Sequence, residues 1–147
     1  MKIGVSSYSF SRLLHEGTMS ILEVPAKAKS MGFDAIEFST LPLPPSETLS
    51  TFAPKLRHAC EKAGIPVASY TIGADFLNGS DGDLGAEIKK TQEEVRIAEI
   101  LGAPSMRHDA TRGFPVEKRG ARSFDAALPR LIEGCRAVTE FAAERGI

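Results

Sequence analysis

The sequence predicts an α/β fold, and within that class about half of a parallel (β/α)₈ barrel. Short hydrophobic segments alternate with amphipathic stretches along the chain. Four amphipathic stretches end in a glycine before a hydrophobic residue: Gly32-Phe33, Gly64-Ile65, Gly102-Ala103 and Gly146-Ile147. Glycine suits the position after a helix because it accepts a positive φ without a Cβ clash. The alternation indicates βαβ units and a parallel sheet.

Four segments have the character of strands, and a long connection follows each of them. The expected strands are Ile3–Tyr8, Phe33–Phe38, Ile65–Ile72 and Ala103–His108. The long connections are Phe10–Met19, Thr40–Ser50, Gly73–Gly82 and Ala110–Ser123, whereas the loops from helix to strand are short. Barrels of this type place their functional sites in the loops after the strands, so the long loops favour that fold.

Helical periodicity marks the stretches between the strands, and each has one apolar stripe. Ser20 and Glu23 are expected to cap the first helix. The stripes of the next three lie within residues 52–63, 88–98 and 124–142. Since crossovers between parallel strands are right-handed, the sheet order is expected to be 1-2-3-4, with the helices on the outer side.

We expect one domain, residues 1–147, that contains four of the eight βα units of a closed barrel. Such barrels commonly exceed 200 residues. The final Gly146-Ile147 repeats the signal that precedes each earlier strand. We therefore interpret the chain as the N-terminal half of a barrel domain.

Composition excludes several classes of partner. The formal net charge of -1 gives no support for binding to nucleic acid or to an anionic membrane. No apolar run is long enough to span a membrane, and the N-terminus does not resemble a signal peptide. Cys60 and Cys135 are expected to be reduced thiols within helices. These observations predict a cytoplasmic protein.

Glu37 and His108 are the main candidates for substrate contacts. Glu37 alternates with Ile36 and Phe38, so it is expected to point into the barrel, where a carboxylate needs a metal, a hydroxyl or an arginine as its partner. A structural glutamate in the barrel floor is an equal alternative. His108 ends the fourth strand, where it could bind a metal, contact a hydroxyl or move protons, or be structural.

Charged residues surround His108 near the same strand end. Alternation leaves open whether Arg107 and Asp109 or Met106 and His108 point inward. Arg112 begins a basic run that reaches Arg122 and could meet a phosphate, although a solvated loop is the simpler interpretation.

Aromatic rings are expected near the same face. Tyr8, Phe10 and Tyr70 suit sugar recognition or ordinary packing.

Other motifs are missing: Asp81-Gly82-Asp83 lacks the spacing of an EF-hand, and no glycine-rich nucleotide motif follows the first strand.

Two segments resemble the xylose-isomerase-like sugar phosphate isomerases and epimerases, which share a barrel with endonuclease IV. Residues 32–37 (Gly-Phe-Asp-Ala-Ile-Glu) are typical of that family's second unit, and residues 100–108 are similar to its junction between helix three and strand four. The resemblance covers essentially the whole chain and places Glu37 and His108 at positions that commonly face the active site. Tyr70-Thr71 lacks the histidine of the endonuclease IV relatives, which argues against DNA repair.

The resemblance implies that the intact protein is a metal-dependent isomerase or epimerase that moves a proton next to a sugar carbonyl. Its divalent ion (Mn, Mg or Zn) is generally held by strands five to eight, so no metal site and no activity are expected in this chain alone. The expected ligand is a sugar or sugar phosphate, and the expected partner is a second copy or the missing C-terminal half. The residues assigned to the substrate are Tyr8, Glu37, Arg107, His108, Asp109 and Arg112.

A small non-enzymatic α/β domain of flavodoxin-like order, used for binding or as a scaffold, is the main alternative. Its sheet order would be 2-1-3-4. A truncated product without function is a third, weaker interpretation.

Overall fold

A computed structural model describes residues 1–39, 41–115 and 123–147 of the chain. The described strands are β1 (Gly4–Ser6), β2 (Ala35–Ser39), β3 (Val67–Ile72) and β4 (Met106–His108). The described α-helices are α1 (Ser11–His15), α2 (Val24–Ser30), α3 (Leu49–Ala63), α4 (Leu84–Leu101) and α5 (Phe124–Ala143). Short 3₁₀ helices occupy Ser7–Phe10 and Ser80–Gly82. The four strands and four principal helices that the sequence predicts are therefore present.

The sheet has the order β1-β2-β3-β4. β1 pairs with β2 and β2 with β3, both in parallel. This order confirms the half-barrel prediction. The doubly wound order, in which β1 would lie between β2 and β3, is wrong for this chain.

The chain divides into two compact units. The first contains residues 1–71 and 97–107. Its core includes Ile36 and Phe38 of β2, which are fully buried, together with Val24 of α2 and Leu56 of α3. The other residues of β2, namely Ala35, Glu37 and Ser39, are only partly buried, which confirms the predicted alternation.

The second unit contains residues 72–96 and 108–147. Phe76, in the loop after β3, is buried against α5 beside Gly134. A Cβ on Gly134 would lie within 2.7 Å of Phe76 Cδ1, so no larger residue fits without a shift. Gln92 of α4 donates a hydrogen bond from Nε2 to the Ala137 carbonyl of α5 over 3.3 Å. The loop after β3 is thus packed into the core of this unit.

The glycines that punctuate the sequence act as predicted. Gly64 caps α3 in the left-handed region, with φ 64° and ψ 37°. Gly32, Gly102 and Gly146 also have positive φ. These positions explain why the helix ends were readable from sequence.

Several element boundaries differ from the prediction, since β2, β3 and β4 each begin two or three residues later than expected. Side-chain hydrogen bonds account for three further differences. β1 ends at Ser6, because the Ser6 hydroxyl accepts a hydrogen bond from the Tyr8 N–H (3.3 Å) and starts a 3₁₀ turn. α3 starts earlier than expected because Thr48 and Thr51 form a capping box. At the first predicted helix only half of the capping box forms. Glu23 accepts from the Ser20 N–H, the Ser20 hydroxyl accepts from the Leu22 N–H instead of the Glu23 N–H, and the regular helix begins at Val24, three residues later than expected.

Both cysteines are free thiols, as predicted. Burial, with a smaller effect from the charge of Glu61, raises the pKa of Cys60 to about 12. Cys60 is therefore protonated and unreactive at neutral pH. Among the described helices, none combines the length and the apolar character that crossing a membrane requires.

Candidate functional site

A cavity in the first unit opens where β1 and β2 end. It has a volume of about 280 Å³ and is lined by Ser7, Tyr8, Ser11, Leu14, His15, Ser39 and Pro42. The Tyr8 side chain is 72% exposed, so its ring is available to a ligand. Ser11 and His15 lie one turn apart on α1. The cavity thus combines a ring, hydroxyls and an imidazole at the edge where barrel enzymes bind substrate.

Ser7 holds the two strand ends together beneath this cavity. Its buried hydroxyl accepts a hydrogen bond from the Ser39 N–H over 2.9 Å and lies 3.4 Å from the Ser39 carbonyl oxygen, to which it donates. A hydroxyl that is both donor and acceptor fixes the distance between the loops. Ser7 therefore attaches the segment that carries Tyr8 to the end of β2.

One face of the sheet in the first unit is polar. Glu37 pairs with Ser6 on one side and with Ser69 on the other, and all three lie on the face opposite Ile36 and Phe38. The interiors of TIM barrels are normally filled by bulky branched residues. This face instead offers hydroxyls and a carboxylate to whatever occupies the barrel interior.

Arg107 lies on the same face as Glu37. The Tyr70 N–H donates to the Ser105 carbonyl over 3.1 Å, a bond that places Met106 beside Tyr70 in a parallel ladder. Tyr70 is on the buried face with Phe38, its partner on β2. Since side chains alternate, Arg107 points to the polar face. The orientation that alternation alone left open is thereby resolved for this residue.

Asp75 organises the loop after β3 in the second unit. Its carboxylate accepts hydrogen bonds from the backbone N–H groups of Leu77 (3.1 Å) and Asn78 (3.0 Å), from the Asn78 side-chain amide, and from the Thr111 hydroxyl (2.8 Å). Burial raises the pKa of Asp75, but the bonds from Asn78, Thr111 and Leu77 together outweigh it and hold the pKa below its usual value. The carboxylate is thus ionised and saturated with donors.

Glu87 of α4 binds the same loop through hydrogen bonds. Its side chain is 2% exposed and accepts hydrogen bonds from the Asp75 N–H (3.1 Å) and the Ser80 hydroxyl (2.8 Å). Lys90 pairs with it over 3.4 Å. Burial opposes ionisation, but the Ser80 hydroxyl, the Asp75 N–H and Lys90 together lower the pKa of Glu87.

A polar cavity of about 240 Å³ lies against this loop. Arg112 and Lys90 contribute its cationic side chains. The remaining lining residues are Gly73, Ala74, Asp75, Asn78, Gly79 and Glu87. Asn78 also donates to the Gly113 carbonyl over 2.9 Å, so the loops after β3 and β4 form one wall.

His108 is held by two contacts within the second unit. Its Nδ1 lies 2.9 Å from the Asp109 carbonyl oxygen, and its ring meets Phe76 edge-on with the ring centroids 5.5 Å apart. Because a carbonyl can only accept, Nδ1 is the donor in this contact, and Nε2 is the ring nitrogen that the contact leaves available. His108 is fixed in position by this backbone contact and by ring packing.

The predicted site residues therefore divide between the two units. Tyr8, Glu37 and Arg107 belong to the first, while His108, Asp109 and Arg112 belong to the second. Tyr8 lines one cavity and Arg112 the other, whereas His108 lines neither. Apart from Arg112, the basic residues of the run that ends at Arg122 (Lys118, Arg119 and Arg122) lie outside the described residues.

Phe10 and Tyr70, which were expected near the working face, are almost completely buried. They belong to the packing of the first unit. Of the three aromatic candidates, only Tyr8 is exposed.

A third cavity, of about 310 Å³, lies at the opposite ends of the strands in the first unit. Its lining residues are Arg57, Cys60, Glu61, Gly64, Ile65, Pro66, Val67, Leu101 and Gly102. Arg57 is already bonded to Glu61 over 3.0 Å and to the Ile100 carbonyl over 3.3 Å. Residues at this end of a barrel generally serve stability, so the smaller cavity beside Tyr8 is the better candidate.

The described residues do not fit a divalent metal ion. Among them, no three side chains of His, Cys, Asp or Glu converge on a point where an ion could bind. The carboxylate oxygens of Asp75 and Glu87 already accept hydrogen bonds from internal donors.

Sequence reasoning missed Asp75, Asn78 and Glu87. Glu87 had a readable signal, because it lies four residues before Thr91 on the buried stripe of α4, where a charged residue is unexpected. Asp75 gave little signal, since its partner Thr111 is 36 residues away in the sequence. His15 was missed because its segment was interpreted as a loop.

Several solved structures share the fold. The crystal structure of 3-keto-D-glucoside 4-epimerase from E. coli aligns with a TM-score of 0.71 and 21% identity over 99% of this chain and 53% of that one. The structure of an L-ribulose 3-epimerase aligns with a TM-score of 0.71 and 20% identity, over 100% of this chain and 48% of that one. A D-psicose 3-epimerase, solved in the presence of D-fructose, aligns with a TM-score of 0.72 and 17% identity, over 100% of this chain and 50% of that one.

This chain therefore spans about half the length of these structural neighbours. No curated protein sequence matches it significantly. Residues 25–147 match the family model described as xylose isomerase-like TIM barrel. That match extends over most of the chain, which therefore belongs to the xylose isomerase-like TIM barrel family.

Proposed function

We propose that the intact protein is an isomerase or epimerase of a sugar or sugar phosphate, and that this chain supplies one half of its substrate site. The reaction moves a proton at the carbon next to the sugar carbonyl. In this proposal the substrate is contacted by Tyr8, Glu37, Arg107, His108, Asp109 and Arg112.

The observation that carries the proposal is the cavity beside Tyr8. Sugar sites combine an aromatic ring, which packs against the C–H face of the sugar, with a few placed polar groups that bind its hydroxyls. Tyr8 offers the ring, and Ser11, His15 and Ser39 offer donors and acceptors around it. The three structural neighbours described above are a 3-keto-D-glucoside 4-epimerase, an L-ribulose 3-epimerase and a D-psicose 3-epimerase, which supports this choice of ligand class.

The polar residues have distinct roles in this proposal. Removing a proton next to a carbonyl leaves negative charge on the oxygen, and a guanidinium that donates to this oxygen stabilises it. Arg107, on the polar face of the sheet, is suited to that role, while Glu37 on the same face accepts hydrogen bonds from sugar hydroxyls. His108 offers Nε2, the ring nitrogen that its contact with Asp109 leaves available, to a sugar hydroxyl.

The proposal includes groups that the described residues do not provide. A divalent ion in the intact protein would polarise the carbonyl, with ligands from outside this chain. A complementary set of βα units, from a C-terminal half or from a second copy, would close the barrel. We also place the protein in the cytoplasm, with no nucleic-acid or membrane partner.

Isothermal titration with D-fructose tests the sugar site. We expect weak millimolar binding to the chain, and we expect Tyr8→Ala to lower the affinity at least fivefold because the stacking ring is lost. Met31→Ala is the matched control, since Met31 is another exposed apolar side chain of the first unit (56% exposed). Equal binding by both variants and the unchanged chain would refute the Tyr8 site.

A further inference from the structure

The polar cavity of the second unit is lined by the cations Lys90 and Arg112, neither of which lines the cavity beside Tyr8. Arg112 is exposed, and within the described part of the chain its guanidinium has no hydrogen bond or ion pair. The Lys90 ammonium is 63% exposed, and its contact with Glu87 is long, at 3.4 Å. Both side chains line the same 240 Å³ space.

We propose that this cavity binds the phosphate group of a phosphorylated sugar, with Arg112 as the principal ligand and Lys90 as the second. Guanidinium groups match the oxygens of a phosphate with paired donors, and an ammonium adds a point charge. The inference rests on the proposed function for the sugar part of the ligand and for Arg112 as a substrate contact.

One of the two acidic residues of the cavity contacts a cation: Glu87 pairs with Lys90 over 3.4 Å. Asp75 accepts its hydrogen bonds from Leu77, Asn78 and Thr111, and Glu87 also accepts from the Asp75 N–H and Ser80. The two carboxylates offset the charges of Arg112 and Lys90, so the affinity is modest and falls as salt rises.

The backbone of the loop leaves room for the anion. Gly73 follows β3 directly, and a Cβ there would lie 3.9 Å from Arg112 Nη2, in contact with the proposed ligand group. Gly79 is a required glycine, because a Cβ would overlap Glu87 and the Asp75 carbonyl, whereas a Cβ at Gly73 would make only an ordinary contact. The floor of the cavity is thus kept free of side chains beside the cation.

Phosphate sites of TIM barrels are frequently formed by loops after strands seven and eight. The cavity described here follows β3 and β4 instead.

Amide chemical-shift titrations of the full chain with inorganic phosphate, D-fructose and D-fructose 6-phosphate test the proposal. We expect shifts at Gly73, Ala74 and Gly113 with both phosphate-containing ligands, and at least tenfold tighter binding of D-fructose 6-phosphate than of D-fructose. Arg112→Gln should remove that difference, and Lys90→Gln should reduce it. Arg136→Gln, an exposed charge-matched control on α5, should preserve it.

Each outcome decides one of the two proposals. Equal affinity for D-fructose and its phosphate, or equal losses in Arg112→Gln and Arg136→Gln, would overturn the phosphate site and leave the sugar proposal standing. Phosphate binding that depends on Arg112, without any binding of D-fructose, would support the phosphate site and count against the sugar proposal.

Discussion

Thr111 donates a hydrogen bond of 2.8 Å to the Asp75 carboxylate, and this contact joins the loops that follow β3 and β4. Each loop carries residues of the candidate site. Asp75 also binds the backbone N–H groups of its own loop, so one carboxylate sets the shape of that loop and its attachment to the next. A charged acceptor with several donors is among the stronger polar interactions in a protein.

Asp75→Asn should destabilise the second unit by about 1–3 kcal/mol, because the amide cannot accept all the bonds that the carboxylate accepts. Chemical denaturation followed by circular dichroism measures the change. Asp125→Asn, an acidic residue in the first turn of α5, is the control and should have a smaller effect, below about 1 kcal/mol.

Stability should also fall in acid because of Asp75 and Glu87. The pKa of each is lowered in the folded protein, so each contributes stability that is fully present above its unfolded value near pH 4. That stability is lost as the pH falls from there through the folded pKa values. Asp75→Asn should flatten the acid side of the stability curve, and an unchanged slope would mean that the Asp75 bonds do not form in solution.

Gly134→Ala should destabilise the protein by about 1–3 kcal/mol, because the added Cβ overlaps the Phe76 ring in a packed core. Gly85→Ala is the matched control near the start of α4, where a Cβ meets only Asp83 Oδ1 at 3.4 Å. The control should be neutral or stabilising by up to about 1 kcal/mol. Thermal melts of both variants measure the difference. An equal change in melting temperature for the two variants would show that the Phe76 ring does not pack against Gly134.

Much of the fold could be predicted because it depends on local signals. Glycines after helices, apolar stripes and the alternation around Glu37 are all encoded within a few residues of where they act. The ends of the elements were harder, because Ser6 and Thr48 redirect the backbone through side-chain hydrogen bonds. The Asp75 cluster depends on residues far apart in sequence, which only the folded chain brings together.

We predict that the chain alone has no isomerase activity and no tight divalent-metal site. Metal sites need several ligands that converge on one point, and the candidates Glu37, His108 and Asp109 are too few. Calorimetric titration with manganese or zinc should show no submicromolar binding. One-to-one submicromolar binding that His108→Ala abolishes would contradict this prediction.

We also predict that the chain self-associates at micromolar concentration. An open four-stranded sheet leaves unpaired backbone groups at β1 and β4, and such edges pair with other chains. Light scattering should give a mass above that of the 15.8 kDa monomer. A monomer mass, with slow hydrogen exchange at both edge strands, would show that the edges are covered within one chain.

The most direct test of the account is to map where a keto sugar binds along the strands. Amide chemical shifts can be followed during titration with D-fructose, with D-mannitol as a control that lacks the carbonyl. We predict that D-fructose shifts residues of the cavity after β1 and β2, among them Tyr8, Ser11 and Ser39, and that D-mannitol has a weaker effect. Shifts confined to the opposite cavity, around Ile65 and Gly102, or identical shifts with both ligands, would contradict the assignment of a keto-sugar site to this chain.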